Sequence, residues 1–515
     1  MKTTLISLTG DLQDSLYQLG LKEQESFKKI EARVTKLLST NVFLRQGQDI
    51  LSRAKLILKK KKPGYFDQCI RSYAEGLGVD PLRYMSFLSL FEIAAHYGQI
   101  YPELKGMLPG CTSIFKKNEE GVVHSRLLDF PLTGLFEMNP RLYYWHQQGK
   151  PTILSYSCEG LAPLFFQGLH GSGISFALHH KPGLTFHHEG SSIFEIIFET
   201  LFETEKFSDF KKNLKKRSTV TKWCLLALNQ TGEAQVMDLE GPALNHESFH
   251  LNEAGLLIFT NIPLHNEQQA FKAYIRFSED RQIWHKEKLS KNSSRHILDQ
   301  LTDVDDQKIK KWIHPGTTLS TVGAYSVNLT KGLLDLKEGE GALVASDQLV
   351  RFSLTSQGQV QVLKEKSKES LLESAWKRAS RAQSYFDQGD YDEAYHELQM
   401  SESLMPHGVW KEIINFYLTV WDFKFVSSSK ELALIYKRLL KIKVPSQLRE
   451  QWLMMCARFE KKLGLMSTVN PQELGEHQRL LFEQEQSAKK PVFLTWMKLI
   501  YPRLEVLEIF SPHHK

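Results

Sequence analysis

Cysteine is scarce in this sequence, with five residues among 515, widely separated and never in a Cys-x-x-Cys pattern. This scarcity excludes a disulfide-stapled scaffold and a paired-cysteine metal or redox site. Long apolar runs are also missing, and because a membrane helix needs about 18 consecutive apolar residues, we expect no membrane span. Asp11 and Asp14 interrupt the first apolar patch before it could serve as a signal peptide, so a cytoplasmic protein is expected.

Charge of one sign is not in large excess either. The 65 Lys and Arg residues against 59 Asp and Glu residues leave a formal charge of +6, which does not predict a nucleic-acid partner. Hydrophobic residues make up 42% and charged residues 24% of the chain, so wholesale disorder is excluded. A chain of this length can bury a sizeable core in more than one domain.

Three regions with different patterns of apolar residues follow one another along the chain. Residues 1–110 show apolar positions at helical spacing, and residues 111–363 contain short β-rich runs separated by turn signals. Two amphipathic helical stretches, at 191–216 and 267–303, interrupt those strands. From residue 366 to 515 the pattern is helical again. The order predicts an α+β chain with layered sheets, helices outside them and an all-α C-terminal domain.

The helical C-terminal region contains one repeat-like pattern. Small and aromatic residues recur there at set intervals and are followed by Pro406, namely Ala382, Tyr385, Gly389, Tyr391, Ala394 and Leu398. The intervals resemble one tetratricopeptide repeat, in which small residues let two antiparallel helices approach closely. Because a lone repeat must bury its faces against other helices, an ordinary helical bundle is the alternative. The repeat reading predicts a protein partner for this domain.

One cysteine lies in a context that suggests chemistry. Cys111 follows Pro109-Gly110, and Arg126 and Asp129 come 15 and 18 residues later, beyond a polar turn. If the two segments pair as a β-hairpin, the arginine and the aspartate return to the neighbourhood of the thiol. A nearby cation lowers a thiol's pKa and favours the nucleophilic thiolate. A buried structural cysteine beside an Arg–Asp ion pair is the alternative that spacing leaves open.

The same residues resemble a known family. Cys-Thr-Ser-Ile at 111–114 and His-x-Arg-x-x-Asp-Phe at 124–130 are similar to motifs of the N-terminal-nucleophile cysteine hydrolases. That group includes acid ceramidase, N-acylethanolamine acid amidase, choloylglycine hydrolase, penicillin V acylase and the peptidase C45 acyltransferases. Further similar segments keep the family's order, so that the resemblance runs from about residue 100 to 345; they lie at 160–163, 168–178, 226–233, 259–261 and 320–332.

The resemblance implies an αββα sandwich that is made as an inactive precursor, or zymogen. Family members cut themselves before the nucleophile, here between Gly110 and Cys111, so residues 1–110 would be a helical propeptide or small chain. Cleavage frees the α-amine of Cys111. Because an α-amine titrates near 7.7–8.0 and a thiol near 8.5, the amine can accept the thiol's proton without a separate histidine.

Other roles are likewise implied by the resemblance. Asp129 would hold the new ammonium group, and Arg126 would lie near the sulfur and bind a polar part of the substrate. Asn261 would donate its amide N–H to the oxyanion, with a strand-end turn asparagine as the structural alternative. A late arginine completes the family pattern, for which we favour Arg276 over Arg281; an exposed helix arginine is the alternative for either.

The sequence departs from the family at the end of the second hairpin. Family members often carry Asn or Glu there, whereas this chain has His179-His180-Lys181, so either His180 contacts the substrate in their place or that role is lost. The nearby run from His187 to Glu189 invites a metal interpretation. Since adjacent strand residues point to opposite faces, each histidine pair offers one ligand per side, too few for a firm zinc site. We expect no metal and no cofactor.

These observations predict an amidohydrolase with a thiol nucleophile. Its substrate would be a small N-acyl amine or N-acyl amino acid, and its linear, non-peptide C–N bond would be cleaved through a Cys111 thioester. An acyltransferase differs only in which nucleophile arrives second, so it remains open beside the hydrolase. A third reading is a helical-repeat interaction protein that carries a catalytically silent hydrolase domain.

Overall fold

The structure is a computed structural model. It describes residues 3–38, 64–100, 110–129, 139–183, 185–252, 255–264, 272–290, 296–302, 321–338, 348–353, 360–364, 371–445, 448–488, 501–504 and 508–510. The helices are α1 (Leu12–Leu38), α2 (Tyr65–Leu77), α3 (Pro81–Ile100), α4 (Ile193–Glu203), α5 (Phe207–Leu214), α6 (Lys272–Leu289), α7 (Ile297–Leu301), α8 (Leu371–Gln388), α9 (Tyr391–Leu404), α10 (Val409–Phe425), α11 (Ser429–Leu439), α12 (Arg449–Lys462) and α13 (Glu476–Ser487).

The strands are β1 (Thr4–Thr9), β2 (Gly110–Asn118), β3 (Gly121–Asp129), β4 (Pro140–His146), β5 (Ile153–Cys158), β6 (Gln167–His170), β7 (Ile174–His180), β8 (Trp223–Asn229), β9 (Glu233–Glu240), β10 (Ala243–His250), β11 (Leu256–Phe259), β12 (Thr321–Asn328), β13 (Leu333–Glu338), β14 (Gln348–Ser353), β15 (Val360–Lys364), β16 (Tyr501–Arg503) and β17 (Glu508–Phe510).

Most strands belong to two large sheets. Sheet A has the order β1-β4-β5-β6-β7-β8-β9-β10, and sheet B has the order β11-β2-β3-β12-β13-β14-β15. Strand β1 joins sheet A by parallel pairing with β4, while the consecutive strands from β4 to β10 pair antiparallel. The prediction of a mixed α+β chain is confirmed.

The two sheets face each other through buried side chains of β2, β3 and β7. Ser113 on β2 shares a 2.8 Å hydrogen bond with His179 on β7, and His124 on β3 shares one of 2.7 Å with Ser175 on β7. Tyr325 on β12 donates to the main-chain carbonyl of Phe176 at 3.3 Å. These three hydrogen bonds thus cross from one sheet to the other, which fixes how the two layers align.

Helices cover the other face of each sheet. On sheet A, Phe198 of α4 packs against Trp145 and Phe165, and Tyr84 of α3 donates to the carbonyl of Gly160 at 3.1 Å. On sheet B, a separate apolar cluster joins α6 and α7 to the strands, consisting of Ile114, Leu127, Ile258, Leu289, Leu298, Leu301, Ala324 and Leu349. The resulting order of layers is helix, sheet, sheet, helix.

The structure departs from the sequence expectation at both ends of the chain. The first described residues form β1 rather than a helix, so the segment that precedes Cys111 contributes an edge strand to sheet A. The residues described between 371 and 488 are mainly helical, but β16 and β17 form a short hairpin where only helices were predicted. Leu504, next to that hairpin, donates its main-chain N–H to Gln383 of α8 at 2.8 Å.

The helix pair α8 and α9 coincides with the repeat-like pattern. The pair turns at Gly389, whose φ of +77° is a conformation that favours glycine. Ala382 and Ala394 are fully buried, and the Ser401 hydroxyl on α9 donates to the Ala375 carbonyl on α8 at 2.8 Å. Small residues therefore do bring these two helices close together.

The N-terminal and C-terminal helices also touch. Arg33 on α1 and Asp387 on α8, both buried, form an ion pair of 3.9 Å. Within the described ranges, no helix combines the length and the apolar character needed to cross a membrane.

Candidate active site

The hairpin of β2 and β3 sets the positions around Cys111. Its register pairs Gly110 with Asp129 and Ser113 with Arg126, so the segments before and after the polar turn do pair as a β-hairpin. Because side chains alternate along a strand, Cys111 and Arg126 point into the space between the sheets, whereas Asp129 points toward the helices that cover sheet B. Cation and carboxylate therefore approach the cysteine from opposite faces of one sheet.

The sulfur of Cys111 lies against a buried guanidinium. Arg126 donates from Nη2 to Cys111 Sγ at 3.0 Å, and both side chains are almost completely buried. The same guanidinium is held by sheet A, since it also donates to the carbonyl of Leu178 on β7 and to Gln167 Oε1 on β6, the latter at 2.9 Å. These contacts fix the orientation of Arg126 toward the sulfur.

The main-chain nitrogen of Cys111 has a side-chain partner. It donates to Asn261 Oδ1 at 2.8 Å, and Arg281 Nη2 donates to the same oxygen at 2.6 Å. Because two N–H donors converge on it, the atom facing Cys111 is the amide oxygen. Asn261 Nδ2 points the other way and donates to the main-chain carbonyl of His180 at 2.7 Å. One of the two amide hydrogens is therefore already engaged in this uncut chain.

Asp129 is held by one cation and one hydroxyl. Arg281 Nη1 lies 3.1 Å from Asp129 Oδ2, and the Thr321 hydroxyl donates to Asp129 Oδ1 at 2.6 Å. Burial raises the pKa of the Asp129 carboxyl, while Arg281, Thr321 and Arg126 oppose that rise by favouring the ionised form. Sequence reasoning missed Thr321, although it starts the late strand of the family resemblance.

Gly110 is in close contact with this ion pair. A Cβ atom at this position would lie 2.9 Å from Asp129 Oδ2 and 3.2 Å from Arg281 Nη1, closer than ordinary contact on both sides. The lack of a side chain therefore lets the carboxylate and the guanidinium reach the peptide group between Gly110 and Cys111.

Two arginines of α6 were candidates from the sequence. The structure brings the Arg281 side chain into the cluster, through its contacts with Asp129, Asn261 and, at 3.4 Å, Thr112. The favoured candidate, Arg276, belongs to the same helix, but its side chain lies outside the described residues.

The two adjacent histidines of β7 point to opposite faces, as the strand period requires. His180 contacts Asn261 through its main-chain carbonyl, and its ring packs edge-on against Trp223 at 5.1 Å between centroids, on the helix-covered face of sheet A. His179 instead points toward sheet B and meets Ser113. The histidine on the cysteine side is thus His179, which the sequence did not favour.

A buried network of serines and histidines extends inward from Cys111. The Ser113 hydroxyl lies 2.8 Å from His179 Nε2 and 3.2 Å from His124 Nε2, and His124 Nδ1 reaches Ser175 at 2.7 Å. Burial lowers the pKa of both rings well below the usual range, and Arg126 adds to the effect. Both rings are therefore neutral near pH 7 and act as hydrogen-bond partners.

Metal ligands do not gather around this cluster. Within the parts of the chain that the structure describes, no group of three or more His, Cys, Asp or Glu side chains is arranged to hold a metal ion.

Among known proteins, this chain has structural matches but no sequence match. No family model matches the chain, and no curated protein matches it in sequence. The chain is similar in structure to a Caenorhabditis elegans ortholog of N-acylethanolamine-hydrolyzing acid amidase, at 16% identity and a TM-score of 0.30, with 43% of this chain and 93% of that one covered.

Two further structural matches are similarly distant. Penicillin V acylase from Agrobacterium tumefaciens has 10% identity and a TM-score of 0.32, with 48% of this chain and 86% of that one covered. A variant of conjugated bile acid hydrolase from Clostridium perfringens has 10% identity and a TM-score of 0.31, with 50% and 98% covered. Proteins named in the resemblance drawn from the sequence thus recur among the structural matches.

Proposed function

We propose that this protein is an N-terminal-nucleophile cysteine amidohydrolase that cleaves a linear, non-peptide amide bond. The observation that carries the proposal is the setting of Cys111, whose sulfur accepts from Arg126 at 3.0 Å while its nitrogen contacts Asn261 at 2.8 Å. One residue thus presents a sulfur beside a cation and a nitrogen beside a fixed amide. A thiol and an α-amine that serve as nucleophile and base need such an arrangement.

Maturation would begin within the chain itself. The thiol of Cys111 adds to the carbonyl of Gly110, the C–N bond to Cys111 breaks, and the acyl group moves to sulfur as a thioester. Water then hydrolyses this thioester, leaving a carboxylate on Gly110 and a free α-amine on Cys111. The close approach of Asp129 to Gly110 supports this step, since its carboxylate would stabilise the new ammonium while Arg281 holds that carboxylate in place.

The catalytic cycle would repeat this chemistry on an external amide. The α-amine of Cys111 takes the thiol proton, and the sulfur attacks the substrate carbonyl. The amine part of the substrate then leaves with that proton, and the acyl part stays on the sulfur as a thioester. Arg126 would stabilise charge on the sulfur, and Asp129, held by Arg281, would orient the α-amine. Asn261 would donate to the oxyanion through the amide hydrogen that the His180 carbonyl does not engage. Hydrolysis of the thioester releases a carboxylic acid and restores the thiol.

Unsatisfied donors beside the sulfur support a polar substrate group. Arg126 Nε and Gln167 Nε2 are buried and have no hydrogen-bond partner among the described residues. Buried donors of this kind are costly unless a ligand meets them. They would donate hydrogen bonds to the carbonyl or carboxylate oxygen of an N-acyl amine or N-acyl amino acid. His180 would contribute its main-chain carbonyl to the site rather than its ring.

We also propose the division into residues 1–110, 111–363 and 366–515, with a repeat-like helical domain that binds a protein partner. The large exposed fractions of Leu434, at 70%, and Leu440, at 50%, on and after α11 support such a contact.

The experiment that tests the enzyme is mass analysis and N-terminal sequencing of purified protein. We expect a fragment that begins at Cys111, and a single uncut chain for Cys111→Ala. The cleaved protein should hydrolyse an N-acyl aminocoumarin, and an added acceptor amine would distinguish acyl transfer from hydrolysis. A chain that stays whole, does not react with a cysteine-directed acyl probe and leaves the coumarin amide intact would exclude the proposal.

A further inference from the structure

The turn that carries Asn261 has little support from its own sheet. Strand β11 ends at Phe259, has only four residues and lies at the edge of sheet B, where it pairs with β2 alone. Residues 260–264 then leave the sheet altogether. An asparagine in such a turn needs other contacts to keep its amide within hydrogen-bond distance of Cys111.

Those contacts come from sheet A, and a lysine supplies two of them. Lys181 follows β7, is buried to 98% of its surface, and donates from Nζ to the carbonyl of Thr260 at 2.9 Å and to the carbonyl of Ile262. The two carbonyls belong to the residues immediately before and after Asn261. One ammonium group therefore restrains the peptide unit that precedes the asparagine and the peptide unit that follows Ile262.

A carboxylate and a carbonyl of sheet A complete the attachment. Asp238 on β9 accepts from the main-chain N–H of Leu264 at 2.8 Å, further along the same turn. The carbonyl of His180, next to Lys181, accepts from Asn261 Nδ2. The turn is thus bound to sheet A through a cation, an anion and a main-chain group.

We propose that Lys181 is a positioning residue for the reaction of Cys111, acting through the turn of Asn261. Burial of an ammonium is costly unless its donors are satisfied, and here it is satisfied by main-chain carbonyls whose location decides where the Asn261 amide points. A misplacement of about 1 Å at a reacting centre can cost a factor of about 100 in rate. The inference rests on the function proposed above.

The test compares Lys181→Met with Lys337→Met. Lys337 is a matched control because it is also a buried lysine, on β13 of sheet B, where it contacts Thr302 and, at 3.4 Å, Asp299. We expect Lys181→Met to slow cleavage before Cys111, and kcat for an N-acyl aminocoumarin, by roughly 10- to 100-fold with KM changed less than about threefold. Lys181→Arg, which keeps donors at the position, should recover part of the loss.

A double variant separates an effect of Lys181 on the reaction rate from an effect on the stability of the fold. In an Asn261→Ala background the turn no longer presents the amide, so Lys181→Met should cause no further loss of rate beyond that of Lys337→Met. Independent losses that multiply would overturn the inference, as would wild-type rates in Lys181→Met or a loss no larger than that of the control. If the unaltered protein neither cleaves itself nor hydrolyses the coumarin amide, the proposed function fails and takes the inference with it.

Discussion

Asp129 and Glu92 are both buried carboxyl groups, but they meet different partners. Asp129 lies against the guanidinium of Arg281, whereas Glu92 on α3 accepts from the Thr221 hydroxyl at 2.9 Å and from the main-chain N–H of Ile193 at 3.2 Å, at the start of α4. Burial raises the pKa of Glu92 to about 7. For Asp129, the cation opposes the same effect of burial. At similar depth, the partner therefore decides what opposes the effect of burial, which is a cation at Asp129 and hydroxyl and main-chain donors at Glu92.

The two carboxyl groups also belong to different parts of the chain, one before Cys111 and one after it. Glu92 belongs to the segment before Cys111 and contacts the first turn of a helix that covers sheet A. Glu23, in the same segment, accepts from the hydroxyls of Tyr73 and Tyr143 and from the N–H of Gly160, and burial raises its pKa too. Carboxyl groups of this segment thus join it to the rest of the protein, while Asp129 is bound by Arg281 next to Gly110.

The largest effect should come from removing the cation of Asp129. Arg281→Gln leaves a buried carboxylate without its ion pair, which typically costs about 3–5 kcal/mol, and it also removes a donor to Asn261. We expect lower stability in chemical denaturation and little or no cleavage before Cys111.

A control for this variant is Arg351→Gln, which breaks the ion pair with Asp335 on sheet B, 2.6 Å between Nε and Oδ1, away from the cysteine. It should cost stability without slowing cleavage. The companion change Arg276→Gln decides between the two arginines of α6. If Arg276→Gln blocks cleavage and Arg281→Gln does not, the contact between Arg281 and Asp129 is not the functional one.

Asn261→Ala is expected to act mainly on rate. Loss of one oxyanion donor costs about 3–4 kcal/mol in other enzymes, a factor of about 100–1,000 in kcat. The first-order rate of cleavage between Gly110 and Cys111, followed by mass over time, measures this without a substrate. With an N-acyl aminocoumarin, kcat should fall and KM should stay close to its original value. A change confined to KM would assign Asn261 to ground-state binding instead.

The smallest expected effect concerns Glu92 and depends on pH. Because its folded-state pKa lies near 7 and its ordinary value is 4.5, the folded chain holds the proton more tightly than the unfolded chain. The contribution of neutral Glu92 is thus complete below pH 4.5 and is lost as pH rises through about 7, roughly 3 kcal/mol in all. Glu92→Gln, which cannot ionise, should flatten this part of the curve.

The measurement is the free energy of unfolding across pH 4.5–8, made on Cys111→Ala so that both chains stay uncut. Glu476→Gln, at an exposed position of α13, is the surface control and should leave the curve unchanged. A Glu92→Gln curve that keeps the full slope of the parent would mean that other groups titrate in this range and that Glu92 is ionised when folded.

The sequence was sufficient to predict which residues lie near Cys111 where those residues belong to one β-hairpin. The register of β2 and β3 ties Gly110, Cys111, Arg126 and Asp129 together, so spacing alone brings them to one place. Strands made of nearly continuous apolar runs, such as Ile174–His180 and Trp223–Asn229, lie in the region where the sequence predicts short β-rich runs. Both faces of these strands are buried, which agrees with a short continuous apolar run.

It failed where strands lie at sheet edges or where contacts cross from one sheet to the other. Ala243–His250 is mostly exposed and carries few apolar residues, so no alternation marks it. Thr4–Thr9 pairs with a strand more than 130 residues later along the chain, which no local pattern records. The support that Lys181 gives to Asn261 likewise depends on how two sheets stack, and the choice between Arg276 and Arg281 depends on which side of α6 faces sheet B.

Strand β1, in the segment before Cys111, also covers an edge of sheet A. A polypeptide starting at Cys111 would present the backbone of Pro140–His146 as a bare sheet edge, and such edges invite pairing between molecules. With β1 in place that edge is capped from within the same molecule. The segment before Cys111 would then prevent the polypeptide that starts at Cys111 from self-associating, even after the peptide bond between the two had been cut.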